Sequence, residues 1–475
     1  MDYIQGTARE QKLLFPDVID DYITEDNPVR FIDAFVDNLD LEGLGFQKSQ
    51  LAPTGRPPYY PGDLLKLYLY GYLNHVRSSR GLEKEAHRNV ELIWLLRKLR
   101  PDFKTIADFR KDNTKAFKQV FRQFTLLCRE LDLFGGELIA IDGSKFKAVN
   151  SRHRNFTKKK LKKALKHIDT KIEQYLKELD RADEEEADVQ KPTVEELKDK
   201  IEQLRQRKDR YSKLKEELEA SGESQVSLTD PDSRSMSKSP KVDVGYNVQA
   251  AVDDKHKLIV EQDVTNAVTD VDQLSGTAIK AKEVLGIDQM KVVADMGYYH
   301  GDEIKACEEA GIEPYVSKPL TSANTKLGLY GKEKFTYDPE KDCYRCPAGQ
   351  ELTYRFDTLE LGRHIRYYVA TACRTCQIRS QCTRNKEGRR ITRWVHEHIL
   401  ENMEQRVQAN PKLIKKRKRI VEHPFGSIKH WNDQSYFLMR GLEKVRAEMS
   451  LSVLAYNIKR VMNILGVPRM IEAVP

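Results

Sequence analysis

Glu137-Leu138-Ile139-Ala140-Ile141-Asp142 is an apolar run closed by an acid, and Met290-Lys291-Val292-Val293-Ala294-Asp295 repeats the arrangement later in the chain. Each reads as a buried strand with a carboxylate at its end. An unpaired charge in such a place is penalised by desolvation, so something cationic has to meet it. A third acid, Glu422, lies in the basic, helix-prone segment Lys415-Lys416-Arg417-Lys418-Arg419-Ile420-Val421-Glu422-His423-Pro424-Phe425-Gly426-Ser427-Ile428-Lys429. Two strand-end acids and a third beside a row of Lys and Arg point to a divalent-metal site working on a phosphate backbone.

The segments between these acids alternate in type. Residues 244–252 and 258–264 read as two strands joined by a turn at 253–255, residues 272–285 as a helix, 303–310 as another, and 313–317 as a short strand. This is a mixed α/β layout. Residues 221–240, rich in Ser, Asp and Pro, read as a loop. Between the first strand and this loop, Leu161, Leu165, Ile168, Ile172, Tyr175 and Leu179 follow a four-three spacing. After a break at Lys191-Pro192, where Thr193 and Glu196 form a capping box, Leu197, Ile201, Leu204, Tyr211 and Leu218 continue it. Two such helices joined by an acidic turn predict an antiparallel hairpin, self-packed or dimerising.

Residues 1–130 read as helical. Pro61-Gly62-Asp63 opens a buried helix through Leu73, and Thr105 caps a helix with Asp108 at its third position. A helical bundle of this kind serves either as a DNA-binding module or as a structural cap.

The chain has 475 residues, enough for two or three domains, with 81 basic against 73 acidic residues. Basic clusters at 158–166 and 412–419 and an acidic block at 180–188 fit a polyanion partner better than the net charge of +8 conveys. No apolar run reaches the roughly 18 residues of a membrane span, and the first residues lack the layout of a secretory signal. Seven cysteines, five of them clustered, argue against a secreted disulfide framework. The expectation is a cytoplasmic protein with no membrane partner.

Cys343-Tyr344-Arg345-Cys346 and Cys373-Arg374-Thr375-Cys376 form two C-x2-C knuckles, with Cys382 following. Such pairs suit a structural Zn²⁺, with Cys382 able to replace one of the four; reduced, metal-free thiols are the other reading. Cys128 and Cys307 sit in apolar helical settings and read as buried. Lys429 lies seven residues beyond Glu422, close to two helical turns, so both fall on one helix face where Lys429 would hold a phosphate. Pro424 between them is expected to kink the helix. Lys415, Lys416, Arg417, Lys418 and Arg419 read as phosphate contacts. Trp431 reads first as a core residue, with base stacking as the alternative. His153, His300, His423 and His430 form no ligand set.

Ala140-Ile141-Asp142-Gly143-Ser144, Gly245-Tyr246-Asn247-Val248-Gln249, Ala294-Asp295-Met296-Gly297-Tyr298 and the segment from Val421 to Lys429, in that order, resemble a DDE-type insertion-sequence transposase, most closely the insertion sequence 1182 group. Thr229-Asp230-Pro231-Asp232-Ser233-Arg234 and residues 103–110 share the resemblance, which spans nearly the whole chain. It implies an α/β, RNase H-like mixed-sheet catalytic core in which Asp142, Asp295 and Glu422 hold Mg²⁺ (or Mn²⁺) and Lys429 assists. Glu422 and Lys429 match the family's Tyr, Arg, Glu, Lys signature, whereas Lys415 and Lys418 stand where Tyr and Arg are usual; Arg417 and Arg419 are the neighbouring substitutes.

The expected organisation is a helical N-terminal domain for DNA binding (1–130), a first core part (131–153), a helical-hairpin insertion (154–225), a second core part (226–325), a cysteine-rich insertion (326–395) that is a zinc ribbon on the metal-bound reading of its cysteines, and a C-terminal helical part of the core (396–475). The implied partner is double-stranded DNA, element ends and target, engaged by a homodimer or larger assembly. The implied reaction is two-metal cleavage of element ends followed by strand transfer. A metal-dependent nuclease that hydrolyses without joining is the alternative, and a non-catalytic zinc-ribbon DNA-binding protein a more distant one.

Overall fold

The computed structural model describes residues 18–50, 57–184, 194–238, 241–319 and 322–474. The break at 191–192, Thr193 of the expected capping box and residues 185–188 of the acidic block lie outside them.

The N-terminal part is helical, as expected: α1 (Pro28–Asp37), α2 (Pro61–Leu73), α3 (Ser79–Arg88), α4 (Val90–Leu95), α5 (Phe103–Asp112) and α6 (Thr114–Glu130). Pro61 at the first turn starts α2, which is buried from Pro61 to Tyr72. Its one lysine, Lys66, is neutralised by Asp33 at 2.6 Å and Asp37 at 2.7 Å. Asp102, rather than Thr105, caps α5: its Oδ1 accepts from the Lys104 and Thr105 amides at 2.9 and 3.0 Å. Aspartate accepts from the N2 and N3 amides more readily than threonine does, so the helix begins earlier than the capping-box spacing suggests.

A six-stranded mixed sheet forms the centre: β1 (Leu138–Lys147), β4 (Arg234–Lys238), β5 (Lys241–Asp253), β6 (Ile259–Thr265), β7 (Met290–Ala294) and β8 (Ile312–Val316). β1 pairs antiparallel with β5 on one side and parallel with β7 on the other; β6 and β4 extend β5, and β8 extends β7. The parallel pair β7–β8 is bridged by α10 (Gly301–Glu309), and α9 (Leu274–Leu285) connects β6 to β7. The segment expected as a loop at 221–240 contains two short strands, β3 (Gln225–Ser227) and β4. β3 pairs with β2 (Asn155–Thr157), and β4 gains a partner in the unusually long β5.

The expected hairpin consists of α7 (Lys158–Glu184) and α8 (Val194–Ala220). Its base is fixed by a small apolar cluster of Phe156, Leu161, Leu214 and Leu218. After the short α11 (Ala323–Lys326), the cysteine-bearing segment forms a five-stranded antiparallel sheet, β9 (Thr336–Asp338), β10 (Cys343–Arg345), β11 (Glu351–Glu360), β12 (Arg363–Val369) and β13 (Arg390–Trp394), with a small core of its own and the short α12 (Arg379–Cys382).

The chain ends in α13 (Glu397–Ala409), α14 (Pro411–Gly426), α15 (Leu442–Leu465) and α16 (Val467–Glu472). Pro424 sits inside α14 without ending it; the next turn, Ser427–Trp431, widens into a π-helix. That is one way a helix absorbs the hydrogen bond a proline removes. One apolar core runs from Ile23 to Met470, with α6 and α2 packed on α15. Within it, the buried Glu448 carboxylate accepts from the Leu438 and Met439 amides at 2.9–3.0 Å and lies 3.6 Å from Arg77. Arg77 in turn donates to the Asp433 and Tyr436 carbonyls, both at 2.9 Å.

Candidate active site

Asp142 does not end its strand. β1 continues to Lys147 because β5 pairs with it along that whole length, while the parallel pairing with β7 stops at Ala140 opposite Val293. Carrying that register two residues further sets Asp142 beside Asp295, the first residue after β7. Asp295 caps the short turn that follows, its Oδ1 accepting from the Gly297 amide at 2.8 Å. Both acids therefore occupy the point where two parallel strands part.

α14 crosses this point and supplies the cation. Arg417 Nη1 stands 3.2 Å from Asp142 Oδ2, with the two side chains 12% and 24% exposed. The angle makes it a charge contact rather than a hydrogen bond, since that nitrogen has no hydrogen-bond partner. Burial lifts the Asp142 carboxyl to about 6; Arg417 opposes the rise, and the negative charges of Asp295 and Asp270 add to it.

Asp270 escaped the sequence reading because it lies in the loop after β6, outside any apolar run. Its Oδ1 accepts from Asn247 Nδ2 at 2.6 Å, Gln249 Nε2 at 2.8 Å and, at 3.5 Å, Lys145 Nζ. Asn247 and Gln249 alternate along β5 onto one face, opposite Lys145 and Gly143 of β1. A Cβ on Gly143 would meet Asp270 Oδ1 at 2.5 Å and Gln249 Nε2 at 2.7 Å. The glycine after Asp142 thus leaves room for a carboxylate. Tyr298, buried and held neutral, donates to Gln249 Oε1 and closes the network.

Lys429 reaches the same strand. Its Nζ donates to Ser144 Oγ at 2.6 Å and to the Lys145 carbonyl at 2.8 Å, above the Phe146 ring. Glu422 is exposed on α14, and no hydrogen bond or ion pair engages it among the described residues. Lys429 therefore turns in toward β1 while Glu422 faces solvent; the π-helical turn after Pro424 breaks the simple two-turn phase between them. Among the described residues no three Asp, Glu, His or Cys side chains stand close enough to share one ion. In the basic row, Lys416 pairs with Asp254, Arg417 with Asp142, and Lys415, Lys418 and Arg419 are exposed. Trp431, expected in the core, is 82% exposed at the end of the π-helix, because the widened turn carries it past the sheet. His423 bonds to the Tyr456 hydroxyl at 2.9 Å and His300 pairs with Asp272 at 3.1 Å.

Four of the five clustered cysteines, Cys346, Cys373, Cys376 and Cys382, line one small cavity. Cys343 does not. On β10 its side chain alternates away from Tyr344, which belongs to the apolar core that Cys346, Cys373 and Cys382 join. Arg389, 7% exposed, also lines the cavity, and its Nε has no partner. Cys128 and Cys307 are buried, and burial raises both thiols.

Two family models match the chain. One, described as "Transposase DDE domain", covers residues 345–462, and the other, "Transposase domain (DUF772)", covers residues 17–112. Glu422 and Lys429 fall within the first match, whereas Asp142 and Asp295 lie between the two. No curated protein matches. A cryo-EM structure of a piggyBac transposase synaptic complex with hairpin DNA superposes over 94% of this chain and 79% of that one, at 8% identity and a TM-score of 0.33, too loose a likeness to assign a fold.

Proposed function

We infer from the two family matches that the chain is a DDE-type insertion-sequence transposase, an enzyme that cuts the ends of a mobile element and joins them to target DNA. We further propose that Asp142, Asp295 and Glu422 are its acids, on an RNase H-like core. The strand order supports the core: an antiparallel β6–β5–β1 half and a parallel β1–β7–β8 half meet at β1, and Asp142 lies where the two directions divide. The placement of Asp142 beside Asp295 is the observation that carries the reading.

The donor type suits hard divalent cations: Asp142 and Asp295 present carboxylate oxygens where β1 and β7 part, burial resists the charge on Asp142, and a cation there would offset it, with Glu422 having to turn in from solvent to complete the set. Mg²⁺ or Mn²⁺ held by Asp142, Asp295 and Glu422 would supply an activated water and stabilise the departing oxygen. Arg417, already against Asp142, is the nearest guanidinium for the phosphate being cut, and takes the part of the arginine missing at position 418. Lys429 fixes the β1 backbone beside Asp142. Gln249 and Asn247 hold Asp270 against Gly143, keeping that wall of the cleft polar and rigid. Lys415, Lys418 and Arg419 contact the DNA backbone, the N-terminal helices contribute to binding, and two protomers pair the element ends. Cys346, Cys373, Cys376 and Cys382, which line one cavity and would have to draw together to bind, are the candidates for a structural zinc, with Arg389 as counter-charge to the thiolates.

Incubating the protein with Mg²⁺, a labelled element end and a plasmid target tests this. Joined product that disappears in Asp142→Asn and in Glu422→Gln is expected. Hydrolysed ends with no joined product would favour the nuclease reading.

A further inference from the structure

The first three turns of α7 are built against their own interest. Lys158, Lys159, Lys162, Lys163 and Lys166 are exposed, and none has an ion-pair partner among the described residues. They crowd the positive end of the helix dipole, where the first turn holds no acid. They also fall at i, i+4 spacings, 158 with 162, 159 with 163 and 162 with 166, so like charges stand beside each other. Leu161 and Ile168 bury the opposite side of the helix, which gathers the lysines onto one face. Glu216 and Glu217, in the turns of α8 around Leu214 and Leu218, reach none of the five. Lys160 is the exception that shows what a structural lysine does here: it folds back to the Asn155 carbonyl at 2.6 Å and over the Phe156 ring.

The face is held at a fixed place relative to the cleft. Asn155, buried, bonds to Gln225 and Ser227 at 3.0 and 2.9 Å, and the Leu228 amide bonds to the Arg154 carbonyl, so α7 rises from a tied base. That base follows β1 in the chain. At the end of β1, Lys147 pairs with the segment containing Tyr436, which itself leads from the exposed Trp431.

We propose that this lysine face is a second DNA-contacting surface, a track for the phosphate backbone of duplex DNA running out from the cleft. It rests on the DNA-cutting reading above and extends it to an element with no part in the chemistry. From Lys158 to Lys166 the helix rises about 12 Å, a length over which duplex DNA presents several phosphates at one charge per roughly 1.7 Å of axis. Clustered, unpaired and one-sided charge is the complement of that partner, and its contacts require no base sequence.

The test is the salt dependence of binding of full-length protein to duplex DNA, measured by fluorescence anisotropy. The triple variant Lys158→Gln, Lys162→Gln, Lys166→Gln should lower the slope of log Kd against log salt by about two to three, at roughly 0.9 per phosphate contact. Lys→Arg at the same positions should keep the parental slope, and circular dichroism should show the helix content intact in both. Lys208→Gln, whose side chain is already paired with Asp169 at 2.8 Å, should leave the slope unchanged. A triple variant with parental slope and affinity overturns the proposal while leaving the DNA-cutting reading in place. A parent protein that fails to bind duplex DNA at all overturns both.

Discussion

Arg417 and Asp142 meet at 3.2 Å across the join between α14 and β1, so a half-buried acid of the cleft is met by a cation from the helix that also carries Glu422. If Asp142 holds the metal as proposed, this arginine competes with the ion for the carboxylate. Arg417→Gln should therefore lower the Mg²⁺ concentration needed for half-maximal thermal stabilisation, yet reduce strand cleavage at least tenfold, a loss of about 1.4 kcal/mol or more. Tighter metal binding with full cleavage would show that Arg417 has no part in handling DNA.

The Asp142 carboxyl has the opposite pH signature from an ordinary ion-paired acid. Its folded value near 6 lies above the roughly 3.9 of an unfolded chain, so between those values the fold keeps a proton that the unfolded chain has lost. Stability contributed by the protonated form is present below about pH 4 and lost as pH rises through 6, a loss of at most about 3 kcal/mol. Asp142→Asn should flatten the stability profile between pH 4.5 and 7.5 relative to the parent. Parallel profiles from denaturant titrations at the two pH values would contradict the burial argument.

Gly143→Ala should be costly out of proportion to one methyl group. The added carbon would press on Asp270 and Gln249 within the cleft, so a destabilisation of about 1–3 kcal/mol is expected, with a larger loss of activity. Pairing it with Asp270→Gly should recover much of the stability and none of the activity. Chemical denaturation of the single and double variants decides the matter.

Among the cysteines the expectation divides by strand face. In protein purified with zinc, Cys376→Ser and Cys382→Ser should lower the bound metal measured by elemental analysis, and Cys343→Ser should retain it. Equal loss in all three would return Cys343 to the set.

Trp431→Ala should leave stability within about 0.5 kcal/mol of the parent, because the indole is solvent-exposed. If the ring stacks on a base, affinity for frayed element ends should fall by about 1–3 kcal/mol. Unchanged affinity removes the stacking role.

The strands bearing Asp142 and Asp295 were legible because parallel strands buried on both faces write themselves as continuous apolar runs. The hairpin was legible through its four-three spacing. Asp270 was not, since its importance comes from three donors that arrive from β1 and β5 and from a missing Cβ, none of which has a local signature. The exposure of Trp431 and the inward turn of Lys429 were hidden for a related reason. Helical periodicity assumes one pitch, and the π-helical turn after Pro424 changes it within a few residues. Cys343 was grouped with its neighbours by spacing alone, whereas strand alternation separates them.

The ion pair between Glu448 and Arg77, which lies between α2 and α3, has a consequence for how the N-terminal helices can vary. Arg77 and Glu448, 3.6 Å apart, hold successive stretches of the segment at 433–439, so removing the N-terminal part would take the cation from a buried carboxylate and release the chain just beyond the π-helix. The N-terminal helices are therefore not a detachable piece, since the segment beyond the π-helix takes its position from them. Under the DNA-binding role proposed for those helices, a new specificity would arise by substitution on the surface of a piece that is inherited whole.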